Sequence, residues 1–92
     1  LIVLPDHVLE WTLNDITEIA EQHLDMVIAH ANNIDILLVG CGTTMQFLPA
    51  ELEQLCQQHQ ITVEVMDTGA ACRTYNILLS EERQAAAALI AV

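Results

Sequence analysis

The chain has 92 residues, 53% of them hydrophobic, which is enough for one domain with a modest core and too apolar for a disordered chain. Thirteen acidic residues against two basic ones give a net charge of −11, which excludes nucleic acid and anionic membrane surfaces as favourable partners. A basic partner, or solubility alone, is compatible with this charge.

The apolar pattern predicts the first elements in chain order. Residues 1–4 indicate a buried strand, and residues 8–13 indicate a second, short extended piece. From Asn14 the apolar spacing becomes that of a helix. Asn32 and Asn33 are predicted to end this helix, because asparagine tolerates the left-handed conformation at a helix end.

A βαβ unit is predicted for residues 34–67. Residues 34–39 form a short continuous apolar run, which is typical of a strand covered on both faces. Pro49 fits the first turn of a helix, and residues 61–66 alternate as a second strand. Such a crossover makes the two strands parallel and is right-handed. The loops that follow the two strands then open at the same edge of the sheet, where ligands of α/β proteins bind.

The last segment is ambiguous from its residues alone. Ser80 could cap a helix, and residues 85–88 are alanines with high helix propensity. Residues 88–92 would equally serve as a buried strand, and a small α/β domain needs more than two strands.

The shared edge of the two strands is the candidate site. A helix is predicted to begin after Asp67, and its free amides attract small anions such as phosphate or carboxylate, with Arg73 within one turn. The alternative is that Asp67 caps these amides and Arg73 pairs with a carboxylate. The candidate ligand or partner site comprises Gly40, Cys41, Gly42, Thr43, Asp67, Thr68, Cys72 and Arg73.

The three cysteines form no CxxC pair, so neither a zinc site nor a disulfide framework is expected, and we predict a reducing, cytoplasmic location. Cys41, between two glycines, is predicted to be exposed, and Cys56 to be a small core residue. Cys72 lies beside Arg73 near a helix start, which favours a reactive thiol, although a buried inert thiol is the simpler interpretation. No paired carboxylates, nucleophile elbow or HExxH motif is present, so no catalytic residue, metal or cofactor is predicted.

Two segments, VGCGTTMQFLP and VEVMDTGAACRTYNILLSEERQAAAALI, carry a family resemblance. They resemble the small α/β domain family of unknown function that includes the mitochondrial respiratory complex I assembly factor 3 and the adipogenesis-associated single-domain protein. The resemblance implies a three-layer β/β/α arrangement with mixed sheets and a strand, rather than a helix, at residues 85–91. It also implies a preceding N-terminal hairpin, which we expect this chain to lack.

Departures from the family pattern affect the candidate site. Cys41 stands where threonine is usual, and Gln46 where a basic residue is frequent, so a second positive group is missing from the anion site. Gln60 and Thr62 replace common glycines. The family pattern carries over at Gly40, Gly42, Asp67, Thr68, Cys72, Arg73, Thr74, Tyr75 and Asn76.

These observations predict one α/β domain over residues 1–92. We expect a non-enzymatic protein-interaction or assembly-factor-like module with another protein as its partner. The alternative is a binder of, or an enzyme on, a small anionic metabolite at the edge formed by residues 40–44 and 67–73.

Overall fold

The computed structural model describes residues 1–4, 8–11, 13–43 and 46–91. The strands are β1 (Ile2–Val3), β2 (Val8–Leu9), β3 (Ile36–Gly40), β4 (Thr62–Met66) and β5 (Ala85–Leu89). The helices are α1 (Glu21–Ala29), α2 (Ala50–Gln58) and α3 (Thr68–Ser80), with single 3-10 turns at Ile16–Glu18 and Ala31–Asn33. No helix within these segments is long and apolar enough to cross a membrane.

The five strands form one mixed sheet in the order β2-β1-β5-β3-β4. β3 lies between β4 and β5 and is parallel to both, while β1 is antiparallel to β5 and to β2. The predicted α/β class and the parallel βαβ unit are confirmed. The described strands form one sheet rather than the two layers implied by the resemblance, because β1 pairs with β5, and β2 pairs with β1 and extends the same sheet.

Both faces of the sheet are covered, which explains the continuous apolar run of β3. Leu37 and Val39 point into the main core beneath α1 and α2, whereas Leu38 packs with Leu78 of α3 on the opposite face. The alanines of β5 alternate in the same way between the two faces. Pairing with β1 and β3 therefore places this alanine run in the sheet, and the strand implied by the resemblance is confirmed.

The helix predicted from Asn14 is divided into two elements. Asp15 caps a 3-10 turn by accepting hydrogen bonds from the backbone N–H and the hydroxyl of Thr17, at 2.9 and 2.8 Å. The chain then extends, and α1 begins only at Glu21. Ile16, in the 3-10 turn, and Ile19, in the extended segment, both lie in the core.

Helix ends also differ from the prediction. Asn32 and Asn33 lie in a 3-10 turn without a left-handed residue. Among the described non-glycine residues, the left-handed positions are Gln60 (φ 59°) and Glu82 (φ 60°), which lie two residues after the last residues of α2 and α3. Gln60 occupies a position where the resembled family commonly has glycine, and its backbone takes the conformation that glycine favours.

Candidate functional site

The ends of three parallel strands meet at one edge of the sheet. The N–H of Cys41 donates to the carbonyl of Met66, and the N–H of Thr68 donates to the carbonyl of Gly42, both at 2.9 Å. The N–H of Ile90, just after β5, donates to the carbonyl of Gly40 at 2.9 Å. The two glycine-containing connections therefore lie side by side, as the βαβ geometry predicted.

Thr68 joins these three strand ends through its side chain. Its hydroxyl accepts a hydrogen bond from the N–H of Gly42 at 2.9 Å and donates one to the carbonyl of Ile90 at 2.6 Å. Thr68 is 6% exposed, so these bonds are shielded from water. The hydroxyl therefore connects the start of α3 to the ends of β3 and β5 through hydrogen bonds.

The two glycines allow the close approach of α3 to β3. A Cβ atom on Gly40 would lie 2.9 Å from the Cα of Thr68, and Gly42 has a φ of +96°, which side chains rarely tolerate. Both glycines are buried. The structure therefore gives each of them a role in packing and backbone geometry that needs no ligand.

Asp67 caps α3, which was one of the two interpretations of its position. Its Oδ1 accepts a hydrogen bond from the N–H of Ala70 at 2.9 Å. Because the N–H of Thr68 is also bonded, to Gly42, two amides at the start of this helix already have partners. Arg73 is exposed, and its Nη1 and the Oδ1 of Asp67 each lie 3.4 Å from the Cβ position of Gly69. Both charged groups therefore lie on the outer surface of the helix start.

The burial of two thiols is the reverse of the prediction. Cys41 was predicted to be exposed and is 4% exposed, because its Sγ packs in the main core and accepts a hydrogen bond from the N–H of Gln46 at 3.4 Å. Cys72, for which a buried thiol was the simpler interpretation, is exposed on α3. Cys56 is buried as predicted, and burial, with the nearby Glu53 carboxylate, raises its pKa.

Two cavities, each of about 340 Å³, lie along this edge and share Ile90 and Ala91. The polar cavity is also lined by Asn14, Asp15, Cys41, Gly42, Thr43 and Gln46. The apolar cavity is also lined by Leu1, Glu10, Trp11, Leu13, Thr68 and Leu89. Four predicted site residues therefore line cavities, whereas Gly40 lies beneath Thr68, and Asp67, Cys72 and Arg73 lie outside both.

Trp11, Leu13, Asn14 and Asp15 also line this edge, which the sequence did not predict. Asp15 lines the polar cavity, and the hydrogen bonds from Thr17 lower the pKa of its carboxyl. Trp11 lines the apolar cavity and donates its Nε1 hydrogen to the carbonyl of Leu89 at 2.9 Å. The amphipathic character of Trp11 was a usable signal, because tryptophan combines a large apolar body with one hydrogen-bond donor.

The electrostatics of the polar cavity differ from those expected for an anion site. Asp15 contributes a carboxylate, and neither Arg73 nor Arg83 lines the cavity. A bound anion would therefore face a negative group without a compensating arginine. Within the described segments, no group of three or more His, Cys, Asp or Glu side chains is arranged to hold a metal ion.

Comparison with known proteins identifies the family. The family model described as "Protein of unknown function (DUF498/DUF598)" matches residues 1–90. The chain belongs to this family. It is also 39% identical over 88 residues to NADH dehydrogenase [ubiquinone] 1 alpha subcomplex assembly factor 3 of Danio rerio, a match that covers 96% of this chain and 51% of that protein. The predicted resemblance is therefore confirmed, and the chain spans about half the length of this relative.

Solved structures of similar proteins share the fold. The NMR structure of a Rhodopseudomonas palustris protein has a TM-score of 0.87 and 40% identity, and the match covers 99% of this chain and 67% of that one. A Bordetella pertussis protein, described as a Mth938-like domain, has a TM-score of 0.82 and 28% identity, with 96% and 70% covered. The mixed sheet with three helices is thus the fold of Mth938-like domains.

Proposed function

We propose that this chain is a non-enzymatic protein-interaction module of the assembly-factor type, which acts by binding another protein. The observation that supports this most is its 39% identity over 96% of its length to a complex I assembly factor. The proposal includes a role in the assembly of a multisubunit complex, which is what the name of that relative states for it. This chain spans about half of that relative.

The polar groups at the candidate edge support a binding surface better than a reaction centre. The hydroxyl of Thr68 and the carboxylate of Asp67 are both engaged in hydrogen bonds that hold the fold together. Phe47, in the loop before α2 and next in sequence to Gln46 of the polar cavity, is 80% exposed. Aromatic side chains of this kind are typical anchors in protein interfaces.

Capture of a partner by a tagged chain tests this proposal. We expect the wild-type chain to enrich a specific protein from a lysate of the source organism after chemical cross-linking, and Phe47→Ala to reduce that enrichment. Met26→Ala is the matched control, because Met26 is also a large exposed apolar residue but lies on α1. If the wild-type chain enriches nothing above background under several conditions, the proposed function is wrong.

A second candidate function is the binding of a small anionic metabolite, with or without a reaction. The observation in its favour is the polar cavity of about 340 Å³ beside Gly42 and Thr43. Under this candidate, phosphate or a carboxylic acid raises the melting temperature, and Gln46→Ala, at the wall of the cavity, reduces the effect. An unchanged melting temperature with every anion tested would eliminate this candidate, because a ligand that binds the native state must stabilise it.

The cytoplasmic location expected from the cysteine pattern stays a prediction. Fractionation of cells that express the full-length protein tests it, with a soluble cytoplasmic enzyme as the reference. Recovery with the membrane or organelle fraction would contradict the prediction.

A further inference from the structure

The outer side of β4 has a row of backbone groups with no strand beside it. β4 ends the sheet, and among the described strands it pairs only with β3. The N–H of Thr62 donates to the carbonyl of Asp35 at 3.0 Å, and the carbonyl of Met66 accepts from Cys41 at 2.9 Å. Because backbone direction alternates along a strand, the N–H and C=O groups of Val63 and Val65 point away from β3.

The side chains along this edge differ between the two faces of the sheet. Glu64 is exposed on the face that carries α3, whereas Val63 and Val65 are half-buried against the main core on the other face. The hydroxyl of Thr74 in α3 contacts the sulfur of Met66 at 3.5 Å, so this side of the helix faces β4. Ile77 follows one turn later and is 58% exposed.

Charge argues against a second copy of this chain at the edge. In an antiparallel pairing of two β4 strands in which Val63 exchanges hydrogen bonds with Val65, the Glu64 residues of the two copies lie directly opposite one another. Like charges in that position destabilise a strand pair. The net charge of −11 adds repulsion between whole molecules.

We propose that β4 is the docking edge for an extended segment of a partner protein in which apolar and basic residues alternate. The main chain of that segment bonds to Val63 and Val65, and a lysine or arginine lies opposite Glu64. Its apolar residues cover the exposed parts of Val63 and Val65 on the other face. This inference rests on the proposed function, because it gives the same partner a second contact besides Phe47 and specifies the chemistry of its binding segment.

Synthetic peptides test the edge without knowledge of the partner. The probe is the acetylated and amidated heptapeptide TVKVKVT, and the matched probe is TVEVEVT. Amide exchange by NMR at low ionic strength is expected to show Val63 and Val65 exchanging rapidly in the free protein and slowly with TVKVKVT. We expect TVEVEVT to bind about fivefold more weakly, since each unfavourable cross-strand charge pair contributes modestly.

Three results would overturn this inference. The first is protection of Val63 and Val65 from exchange in the free protein, which would mean that the edge is already covered. The second is equal affinity for the two peptides. The third is protection by TVKVKVT at amides remote from β4 with none at this strand.

Variants of the protein test the β4 edge independently of the peptide sequence. Glu64→Lys is expected to reverse the preference between the two peptides, whereas Asp25→Lys, the same change of charge on the exposed face of α1, preserves the preference. Val65→Pro removes an outward N–H from an edge strand, a position where proline is tolerated, and should abolish binding. If this variant does not fold, the Glu64→Lys comparison decides.

The partner-capture experiment separates the two proposals. If Glu64→Lys captures the partner as well as the wild type does, the partner does not bind at the β4 edge. The proposed function would then remain intact. Failure of the wild-type chain to capture any protein would contradict the proposed function, while the peptide result would still report on the edge itself.

Discussion

Thr68 places a hydroxyl where three strand ends would otherwise leave buried backbone groups unpaired. Thr68→Val preserves the shape of the side chain but leaves the N–H of Gly42 and the carbonyl of Ile90 without this partner. We expect the free energy of unfolding in urea to fall by about 2–4 kcal/mol, since each buried unsatisfied group is costly. Thr68→Ser retains the hydroxyl. An equal loss of unfolding free energy in both variants would contradict the structural role of the two hydroxyl hydrogen bonds.

The exposure of the thiols gives a second prediction at this scale. Cys72 is exposed, whereas Cys41 and Cys56 are buried. We expect one thiol per native chain to react quickly with Ellman's reagent, and the other two to react only on unfolding, because a buried thiol is inaccessible. In Cys72→Ser the rapid phase should disappear. A rapid phase that persists in this variant would show that one of the buried thiols is accessible.

Burial of Cys56 makes stability depend on alkaline pH. Burial, with the Glu53 carboxylate nearby, raises the pKa of this thiol from 9.0. The native state therefore holds the proton above the pH at which the unfolded chain releases it. The resulting stabilisation is fully present below pH 9.0 and is lost as pH rises from there through the native pKa. Urea denaturation of wild-type protein should show unfolding free energy falling in this range.

The Cys56→Ala variant should show a shallower fall over the same range. Tyr75, whose pKa is raised from 10.0 by burial, contributes a slope of the same sign at higher pH. Cys72→Ala is the control for the loss of a thiol, because Cys72 is exposed whereas Cys56 is buried. Equal slopes in the wild type and Cys56→Ala would contradict the assignment.

At the scale of elements, the contact between α3 and β3 depends on the absence of a side chain at Gly40. Gly40→Ala would place a Cβ 2.9 Å from the backbone of Thr68, so the helix must shift. We expect a loss of about 1–3 kcal/mol of unfolding free energy, as is typical of overpacking. Urea denaturation measures this loss.

Gly69→Ala, in α3, provides the matched control for Gly40→Ala in β3. A Cβ at Gly69 meets no atom closer than 3.4 Å, and alanine favours helix by roughly 0.5–1 kcal/mol over glycine. This variant should therefore be neutral or more stable. If Gly40→Ala were equally well tolerated, the contact between α3 and β3 would not require the absence of a side chain at position 40.

The strong negative charge predicts a salt dependence of the whole molecule. A net charge of −11 on 92 residues makes the native state repel itself, and added salt screens that repulsion. We expect the melting temperature to rise by about 2–5 °C between ~0.01 M and ~0.15 M NaCl. Circular dichroism measures the transition, and KCl at equal ionic strength should reproduce the rise. A constant or falling melting temperature would contradict this account.

Local patterns were enough to locate the parallel unit and the edge at which its loops open. The apolar run at residues 34–39, the alternation at residues 61–66 and the cap at Asp67 are each recognisable without distant contacts. A helical crossover forces its two strands to be parallel, so the proximity of the Gly42 and Thr68 segments followed from connectivity. The division of residues 14–31 into a 3-10 turn and α1 could not be predicted, because Ile16 and Ile19, which are both buried, are also spaced as on one face of a continuous helix.

The sequence by itself therefore determined the α/β class, the shared loop edge and the family, because these depend on periodicity, connectivity and motif. Only the tertiary structure decided which thiol is exposed and that Asp15 and Trp11 complete the edge. It also placed the alanines of β5 between two strands, against their helix propensity. The physical reason is that these properties arise from contacts between segments far apart in the chain, which outweigh local preferences of a fraction of a kcal/mol per residue.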